Sequence, residues 1–372
     1  MKEPLNLHQY KDLAKKHSTL GTWNYISAGS GDETTVVYNR VAFSRWFLKP
    51  RMLSGCTTVD LSISLFNRTL ASPILLAPIG YQGLVHPDAE LATIRGANAS
   101  RSLMIVSTMS NRSLEEIANE ASGPHWFQLY CMKDRELTLS LIRRAENAGY
   151  SAIVITVDTP RLGRRERDLS MCSELIGQLI PGNLPKEIVQ KIATSSFSAI
   201  VEQLFDSAID WKTVSWLKNQ TKLPILLKGI LTIEDAKKAV SLGVDGIIVS
   251  NHGGRQLDGA PASLDVLPDI VKSVHGQCRV LLDGGIRRGT DILKARALGA
   301  DAVLIGRPVL WGLICNGTKG VEHILAILRD ELEHAMILCG QSSWEKIDSS
   351  LISVNQSTVC FSCPLLKEVD IT

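Results

Sequence analysis

The sequence predicts a (β/α)8 TIM barrel, in which eight parallel strands alternate with helices and close into a ring. Eight short apolar runs recur along the 372 residues, and each ends in polar or glycine residues. Amphipathic helical stretches separate most of the runs. Strands that alternate with helices through right-handed crossovers form a parallel sheet, and eight such units close into a barrel. We therefore expect one α/β barrel with insertions.

The predicted strands are apolar on both faces, as expected of barrel strands that helices cover from outside. Their length and flanking glycines favour strands over buried helices. In chain order they span residues 74–80, 104–110, 125–130, 152–158, 224–229, 246–252, 279–285 and 302–306.

Local signals mark the helices between the strands. Residues 137–149 place apolar and charged side chains on opposite faces at helical spacing. Ser113 precedes two acidic residues, a pattern typical of a capped helix start. Gly149, Gly243 and Gly299 stand where a helix ends before the next strand, the usual place for a glycine.

Two regions interrupt the repeat. Residues 1–70 predict an N-terminal helical segment that packs on the barrel, with an irregular stretch after the helices. The barrel itself is expected over 71–350, with a C-terminal tail at 351–372. A long insertion follows strand 4, at 161–212, and exceeds an ordinary loop of this fold.

The insertion contains a helix-like run with one apolar face. Such a face could lie on a membrane, but it lacks the basic border and tryptophans that membrane-surface helices favour, so packing on the barrel is the better interpretation. Because the insertion follows the carboxyl end of a strand, it is a candidate lid. The apolar residues are Phe197, Ile200, Val201, Leu204 and Phe205.

Composition excludes several classes of protein. The net charge is +2, with 40 basic and 38 acidic residues, and no basic stripe predicts nucleic-acid binding. With 45% apolar residues the chain can bury a large core. No apolar run reaches membrane-spanning length, residues 1–6 lack the apolar core of a secretion signal, and residues 369–372 are no peroxisomal address. We expect a cytoplasmic protein.

The eight cysteines are scattered and predict neither a disulfide framework nor a metal site. Cys360 and Cys363 have zinc or redox spacing, but no second ligand pair follows them. We interpret the pair as an incidental feature of the tail.

The most informative segment is residues 250–259, which follow a predicted buried strand. His252 can move a proton near neutral pH, and Arg255 can grip a carboxylate through two parallel hydrogen bonds. Gly253 and Gly254 allow the backbone to approach a flat ligand closely. The segment therefore predicts a catalytic loop.

Other strand ends supply further polar groups to the same face, because barrel sites form where the strands end. Glycine and arginine after the last two strands indicate phosphate binding. No Gly-x-Gly-x-x-Gly follows a strand near the amino end, which argues against a nicotinamide site. The residues at the strand ends are Pro78, Ile79, Gly80, Ser107, Gln128, Tyr130, Thr156, Asp158, Lys228, Ser250, His252, Arg255, Asp283, Gly284, Gly285, Ile286, Arg287, Gly306 and Arg307.

From about Tyr25 to about Ile347, the sequence resembles the FMN-dependent α-hydroxy-acid oxidases, the group of glycolate, lactate and mandelate oxidases. Residues 250–258 resemble the active-site signature of that family, and 156–165 resemble its strand-four segment. Residues 282–287 and 305–308 resemble the segments of the family that bind the phosphate.

The resemblance implies FMN as cofactor and an (S)-2-hydroxy acid as substrate. Oxidation would give the 2-keto acid while O2 is reduced to H2O2, and the family suggests a homotetramer. His252 would be the base, oriented by Asp158, and Lys228 would stabilise the reduced flavin. Arg165 and Arg255 would clamp the substrate carboxylate.

Further site residues are also implied by the resemblance. Tyr25 and Tyr130 would hydrogen-bond the carboxylate and hydroxyl of the substrate, with Tyr130 among the catalytic residues. The residues implied to bind FMN are Pro78, Ile79, Gly80, Ser107, Gln128, Tyr130, Thr156, Lys228, Ser250, His252, Gly253, Arg255, Asp283, Gly285, Arg287, Gly306 and Arg307.

Three departures from the family pattern concern the substrate. Met109 stands where plant-type glycolate oxidases carry a tryptophan, so the side-chain pocket differs. Residues 166–172 replace the usual loop, which affects the lid. Gly80 stands where many of the oxidases have alanine. Glycine at this position resembles the lactate monooxygenases, so part of the product could be the shortened acid with carbon dioxide.

Alternative functions differ in what they require of these residues. A tailoring oxidase for a bulkier hydroxy acid fits the same site. An FMN barrel such as a prenyl diphosphate isomerase fits less well, since the histidine with two arginines suits a carboxylate. A binding scaffold has no need for Lys228, Asp158 and His252 together.

Overall fold

The computed structural model describes residues 3–169, 179–192 and 197–355 and confirms the predicted closed barrel of eight parallel strands. The strands are β1 Trp46–Leu48, β2 Ile63–Leu65, β3 Arg68–Leu70, β4 Ile74–Leu76, β5 Met104–Ser107, β6 His125–Leu129, β7 Ile153–Thr156, β8 Ile225–Ile230, β9 Gly246–Val249, β10 Arg279–Asp283, β11 Ala302–Ile305 and β12 Ile352–Val354. The helices are α1 Leu7–His17, α2 Leu20–Ser27, α3 Thr34–Val41, α4 Glu90–Ala99, α5 Leu114–Glu120, α6 Arg135–Asn147, α7 Glu166–Leu169, α8 Lys186–Ile192, α9 Phe197–Leu204, α10 Trp211–Lys218, α11 Ile233–Ser241, α12 Ser263–Val274, α13 Gly289–Ala297 and α14 Arg307–Leu338.

The barrel consists of β4 to β11 in chain order, and β11 pairs with β4 to close the ring. In that closing pair, Val303 lies opposite Ile74 and Leu304 opposite Leu75. Each strand coincides with one of the eight apolar runs, with β8 extending one residue past its run to Ile230. The strand residues are almost entirely buried because the helical layer covers the outer face. The polar residues that follow the strands therefore meet at one end of the ring.

The expected helix signals are present. Ser113 caps α5 in a reciprocal arrangement, in which its side chain and that of Glu116 each accept a bond from the other residue's backbone N–H. Gly149, Gly243 and Gly299 have φ values of 82°, 69° and 104°, so each adopts the left-handed conformation that ends a helix.

The N-terminal segment differs from its prediction in one respect. Its three helices are present, but the expected irregular stretch contains β1 and an antiparallel hairpin of β2 and β3. The hairpin turn consists of Phe66 and Asn67, both at positive φ. Because the turn contains no glycine, the usual sequence signal for such a hairpin is missing. β1 pairs with β12, which joins the beginning of the chain to its end. Division of the chain at residues 70 and 350 stays a prediction.

The insertion packs on the barrel, as predicted for its apolar face. Val201 and Phe205 are buried, and the Phe205 ring stacks on Tyr130 at a centroid distance of 4.4 Å. Asn183 anchors the insertion: its amide donates to the carbonyls of Ser107 and Thr108 and accepts from the Leu114 N–H. The candidate lid is thus fastened to the loop after β5, and its closing motion stays a prediction.

In the described part of the chain, no helix is long and apolar enough to span a bilayer. The same residues contain no cluster of side chains suited to hold a metal ion. Cys360 and Cys363 lie outside the described residues.

Candidate active site

A deep cavity opens at the carboxyl ends of the barrel strands and receives residues from all eight of them. The N-terminal segment and the insertion complete its wall. The structure brings together most of the predicted site residues here. Those that line the cavity are Tyr25, Pro78, Ile79, Gly80, Ser107, Met109, Gln128, Tyr130, Thr156, Arg165, Lys228, His252, Gly253, Arg255, Asp283, Gly285, Arg287, Gly306 and Arg307.

Two predicted residues, Asp158 and Ser250, lie behind the cavity wall and contact residues that line it. Asp158 contacts His252. The Ser250 hydroxyl accepts hydrogen bonds from the Lys228 ammonium at 2.9 Å and from the His252 backbone N–H at 3.0 Å. Both residues thus orient side chains that line the cavity, namely those of His252 and Lys228, through hydrogen bonds.

His252 is arranged to accept a proton. Its Nδ1 lies 2.9 Å from Asp158 Oδ1, so the other ring nitrogen, Nε2, is the one available to a substrate. Burial lowers the pKa of His252, and the nearby Lys228 charge adds to this, although Asp158 opposes it. The imidazole is therefore neutral at physiological pH, as a general base must be.

Asp158 remains ionised beside this histidine. Burial alone would raise its pKa, but His252 and Lys228 together outweigh burial and lower it. A carboxylate in this position fixes the tautomer of the imidazole and stabilises its cation. One of its oxygens, Oδ2, is buried and has no hydrogen-bond partner among the described residues.

The backbone of the catalytic loop is left-handed over three consecutive residues. His252, Gly253 and Gly254 have φ values of 59°, 63° and 76°. Glycine is required at the last two positions, because a Cβ at Gly254 would lie 2.8 Å from the Val36 nitrogen and one at Gly253 would lie 3.0 Å from Arg307 Nη1. The glycines thus let α3 and Arg307 approach the loop closely.

The two arginines of the predicted carboxylate clamp are adjacent. Arg255 donates to the carbonyls of Tyr25 at 2.9 Å and Ala28 at 2.7 Å, and its guanidinium lies 5.5 Å from the centre of the Tyr25 ring. Arg165 donates to the carbonyl of Arg255 at 3.0 Å and is only 6% exposed. Two guanidiniums at one cavity wall suit a carboxylate ligand.

Lys228 supplies a buried positive charge at the centre of the site. Its ammonium lies 3.2 Å from Asp283 Oδ2 and bonds Ser250, and the residue is 4% exposed. Burial would lower its pKa, but Asp283 and Asp158 outweigh burial and raise it. The ammonium therefore stays charged and can stabilise negative charge that develops beside it.

A row of uncharged polar groups crosses β5, β6 and β7. Gln128 donates to the Thr156 hydroxyl at 3.0 Å and accepts from the Ser107 hydroxyl at 3.2 Å. These three side chains line the cavity and present donors and acceptors to the edge of a planar heterocycle.

The last two strand ends hold buried cations that nearby carboxylates, Asp291 for Arg287 and Glu33 for Arg307, do not fully balance. Burial lowers the pKa of Arg287 well below its usual range, with Arg40 and Arg307 contributing, and it lowers the pKa of Arg307 to about 9, with Arg255 contributing. Among the described residues, neither Arg287 nor Arg307 forms a salt bridge. A bound anion such as a phosphate would relieve this repulsion.

Two other features at the ends of β10 and β11 also fit FMN. Asp283 Oδ1 is buried without a hydrogen-bond partner among the described residues, so it can accept from a hydroxyl of the ribityl chain. A Cβ built on Gly306 would meet only Ala77, at 3.9 Å, which leaves room for a ligand. The donor and acceptor set therefore matches a flavin ring, a polyol and a phosphate, in that order along the cavity.

Sequence reasoning did not assign several lining residues to the site. Tyr81 immediately follows a predicted position, and Leu162 lies within the family-like segment 156–165. The location of Val201 and Phe205 depends on how the insertion packs. The additional lining residues are Ile26, Ala77, Tyr81, Thr159, Leu162, Val201, Phe205, Leu304, Ile305 and Leu310.

The barrel and its cavity define an oxidoreductase that binds FMN, and comparison with known proteins agrees. The family model of the FMN-dependent dehydrogenases matches residues 14–354. The chain is 46% identical to the L-lactate oxidase of Nostoc sp. over 365 residues, covering 94% of this chain and 98% of that protein.

Two further relatives are a human enzyme and a solved structure. Human 2-hydroxyacid oxidase 1 is 43% identical, with 95% of this chain and 97% of that protein covered. A crystal structure of mandelate oxidase with (S)-4-hydroxymandelic acid gives a TM-score of 0.89 at 41% identity and covers 94% of this chain and 99% of the other. The chain belongs to the family of FMN-dependent hydroxy-acid oxidases, and FMN is its cofactor.

Proposed function

We propose that this oxidase converts an (S)-2-hydroxy acid with an apolar side chain to the 2-keto acid while O2 is reduced to H2O2. The observation that carries the proposal is His252, which is bonded from behind by Asp158 and lines the same cavity as two adjacent arginines and a buried ammonium. A proton acceptor, a carboxylate clamp and an electrostatic stabiliser are the groups that this oxidation requires.

The substrate carboxylate is bound by Arg165 and Arg255 in this proposal, through charge-assisted hydrogen bonds. Tyr25 and Tyr130 donate hydrogen bonds to the carboxylate and the hydroxyl. Burial raises the pKa of Tyr130, and Asp158 adds to the effect, so its phenol keeps its proton and can donate. These contacts orient the hydroxyl-bearing carbon toward His252.

His252 takes one proton from the bound acid at Nε2, and Asp158 stabilises the imidazolium that results. When bound, FMN supplies the acceptor for the two electrons that leave the substrate. Lys228 holds positive charge at the site where electrons arrive, which favours their transfer. The acid thus loses two electrons and two protons and becomes the keto acid: one proton goes to His252, and the other would leave with the two electrons to the cofactor and end, with them, in H2O2.

The residues present would hold FMN along the cavity. Ser107, Gln128 and Thr156 would bond the ring, with Ser250 supporting Lys228 from behind. Backbone from Pro78 to Gly80 would approach it from β4. Asp283 would bond the ribityl chain. The phosphate would be bound by Gly285, Arg287, Gly306 and Arg307, and Gly253 would let the catalytic loop approach.

The substrate side chain would meet an apolar wall. Leu162, Val201 and Phe205 come from the insertion, and Met109 comes from the loop after β5. Glycolate has no side chain with which to contact them, whereas methyl and aryl groups would bury apolar surface there. The names of the lactate and mandelate oxidases to which the chain is similar support this substrate class.

Gly80 has a packing reason that is independent of product chemistry. A Cβ at this position would lie 2.9 Å from the Met109 carbonyl oxygen and 3.0 Å from the Met109 Cβ. Close approach of the two loops therefore requires glycine. The keto acid with H2O2 remains the proposed outcome, and oxidative decarboxylation to the shortened acid is the alternative that product analysis would reveal.

The decisive experiment mixes the purified holoenzyme with a panel of 2-hydroxy acids without air and follows bleaching of the flavin. We expect (S)-lactate and bulkier apolar acids to bleach it faster than glycolate, and the (R)-enantiomers to leave it oxidised. Air is then admitted and products are identified. Keto acid with equimolar H2O2 supports the proposal, and failure of every acid to bleach the flavin overturns it.

Assembly and location are further parts of the proposal. The family resemblance supports a homotetramer, which light scattering during size-exclusion chromatography would test. A mass of one or two chains would contradict it. A cytoplasmic location is also proposed, and microscopy of the tagged protein at native expression would test it.

A further inference from the structure

Asn39 lies on α3, outside the barrel, yet it is buried between two loops of the active site. The residue is 3% exposed. The loop after β9 carries His252, and the loop after β10 carries Gly285 of the proposed phosphate site. α3 is therefore in contact with both loops.

The Asn39 side chain pairs with Asn251, the residue immediately before the base. Each amide donates to the oxygen of the other, and both distances are 2.8 Å. Asn39 Oδ1 also accepts from the Ser263 N–H at 3.3 Å. Such a reciprocal pair of primary amides holds the two side chains in one orientation.

All the remaining hydrogen-bonding capacity of the Asn251 side chain is used to shape the loop. Its oxygen accepts from the Gly254 N–H at 3.1 Å, and its amide donates to the Pro261 carbonyl at 2.9 Å. A flipped Asn251 amide would set its NH2 group against the Gly254 N–H and its oxygen against the Pro261 carbonyl. Asn39, whose own oxygen is oriented by the Ser263 N–H, adds two hydrogen bonds that favour this same orientation of Asn251.

The closed loop includes the left-handed residue His252, whose φ is 59°. A residue with a Cβ adopts this conformation only where neighbouring contacts hold it. The bond from Gly254 to Asn251 spans His252 and encloses it in a tight turn. The Gly254 N–H also bonds the Asn251 backbone carbonyl at 3.1 Å, so the Asn251 side chain reinforces a turn that the backbone begins. The direction of the imidazole toward Asp158 is thus held in part by the Asn251 side chain.

Two other contacts join α3 to the same loops. Asp258 of the catalytic segment accepts from the N–H groups of Thr35 at 2.9 Å and Asp32 at 3.1 Å, which fastens the start of α3. On the other side, a Cβ at Gly285 would lie 2.0 Å from the Asn39 carbonyl oxygen, so the helix backbone rests directly on that glycine.

The geometry points to Asn39 as a positioning residue that holds His252 in its proton-accepting orientation through Asn251. This inference rests on the proposed role of His252 as the base. Asn39 is not among the residues that line the cavity, and in this inference it acts through one amide pair. The N-terminal segment thereby contributes to catalysis as well as to packing.

The experiment uses four holoenzyme variants: Asn39→Ala, Asn39→Asp, Asn251→Ala and the double variant Asn39→Ala with Asn251→Ala. The limiting rate of flavin reduction by (S)-lactate without air is measured beside the apparent dissociation constant of the acid. Amide hydrogen exchange of the segment 250–256 is measured in the FMN-free protein. Asn98→Ala is the control, because Asn98 also joins two segments through hydrogen bonds to Glu120 and Ser122.

We expect Asn39→Ala to keep FMN, to reduce the limiting rate about tenfold or more, and to change the dissociation constant less than the rate. Exchange of the Gly254 amide should accelerate. The double variant should lose about as much rate as Asn251→Ala alone, since the two amides act as one unit. Asn98→Ala should retain the wild-type rate.

Three results would overturn the inference. The first is an unchanged limiting rate in Asn39→Ala with FMN bound. The second is a double variant whose loss of rate equals the product of the two single losses. The third is amide hydrogen exchange at residues 250–256 of Asn39→Ala that is as slow as in the wild type. Should Asn39→Ala not fold, Asn39→Asp decides, because it keeps the size and the acceptor but removes the donated N–H. Failure of the proposed function is separate, since His252→Ala would then reduce flavin at the wild-type rate.

Discussion

The cofactor end and the substrate end of the cavity are built from different parts of the chain. The residues proposed to hold the flavin ring, ribityl chain and phosphate come from the ends of barrel strands, as Gln128, Lys228 and Asp283 do. The far wall of the substrate end comes from segments added to the barrel, with Tyr25 from the N-terminal part and Phe205 from the insertion.

This difference separates two tasks. Barrel strands are held by hydrogen bonds to neighbours on both sides, so groups at their ends keep fixed positions around a cofactor. Added segments can change in length and side chains without opening the ring. We therefore expect the redox chemistry to depend on the barrel and substrate choice to depend on the additions.

Removal of the base should have the largest effect. His252→Ala should lower the rate of flavin reduction about 10²- to 10⁴-fold, the usual contribution of a positioned base, while FMN stays bound. Stopped-flow absorbance without air measures the rate. His334→Ala, on an exposed part of α14, is the matched control. Unchanged bleaching in His252→Ala would remove this residue from its role.

The phosphate end should show the next largest effect. Arg287→Met should raise the Kd of FMN about 10- to 100-fold, the loss expected of a hydrogen bond to a charged group, and leave riboflavin binding unchanged. Fluorescence quenching of the flavin measures both. Arg287 lies 4.8 Å from the centre of the Trp311 ring. Arg296→Met is the control, since Arg296 lies over Trp344 in the same way but outside the cavity. Equal losses for FMN and riboflavin would place the phosphate elsewhere.

FMN binding should also weaken in alkali. Because the pKa of Arg307 in the FMN-free protein is lowered to about 9, the guanidinium is charged below this pH and loses its proton above it. The bound phosphate favours the charged form, so the Kd of FMN should rise by up to about tenfold per pH unit above the pKa. Titrations between pH 7 and 10.5 measure it, and riboflavin should show no such rise. A flat FMN curve would contradict the assignment.

The smallest effect is expected at the far wall of the substrate end, where the insertion contributes Phe205. Phe205→Ala should raise the apparent KM for an apolar hydroxy acid about three- to tenfold, through loss of roughly 1 kcal/mol of apolar contact, and leave glycolate unaffected. Steady-state assays with O2 measure it, with Phe47→Ala on exposed β1 as the control. An equal change for glycolate would show that the insertion supports the whole site, and the contrast between the two ends would fail.

The same contrast explains what the sequence could predict. Lys228 and Asp283 directly end apolar runs, so the strand pattern alone places them at the ring edge. No local pattern shows where the helix that carries Val201 packs, so its apolar face was predicted without its place in the cavity. Tyr25 was named only through family resemblance, because nothing near it in sequence marks a site.

Contacts between distant segments could not be predicted from the sequence. Asn39 and Asn251 are ordinary polar residues in isolation, and their pairing follows only from how α3 lies on the barrel. The β2–β3 hairpin was also missed, since its turn uses Phe66 and Asn67 where glycine is the usual signal.

The pairing of β1 with β12 has a consequence for how the protein is made. Trp46–Leu48 leaves the ribosome early, whereas its partner Ile352–Val354 is translated after every barrel strand. Until then the early strand has an unsatisfied edge, and α3 lacks its contacts until residues 250–285 have been translated. The nascent chain therefore completes this fold only after residues 352–354 have been made, and a chaperone that shields residues 1–50 would aid its yield.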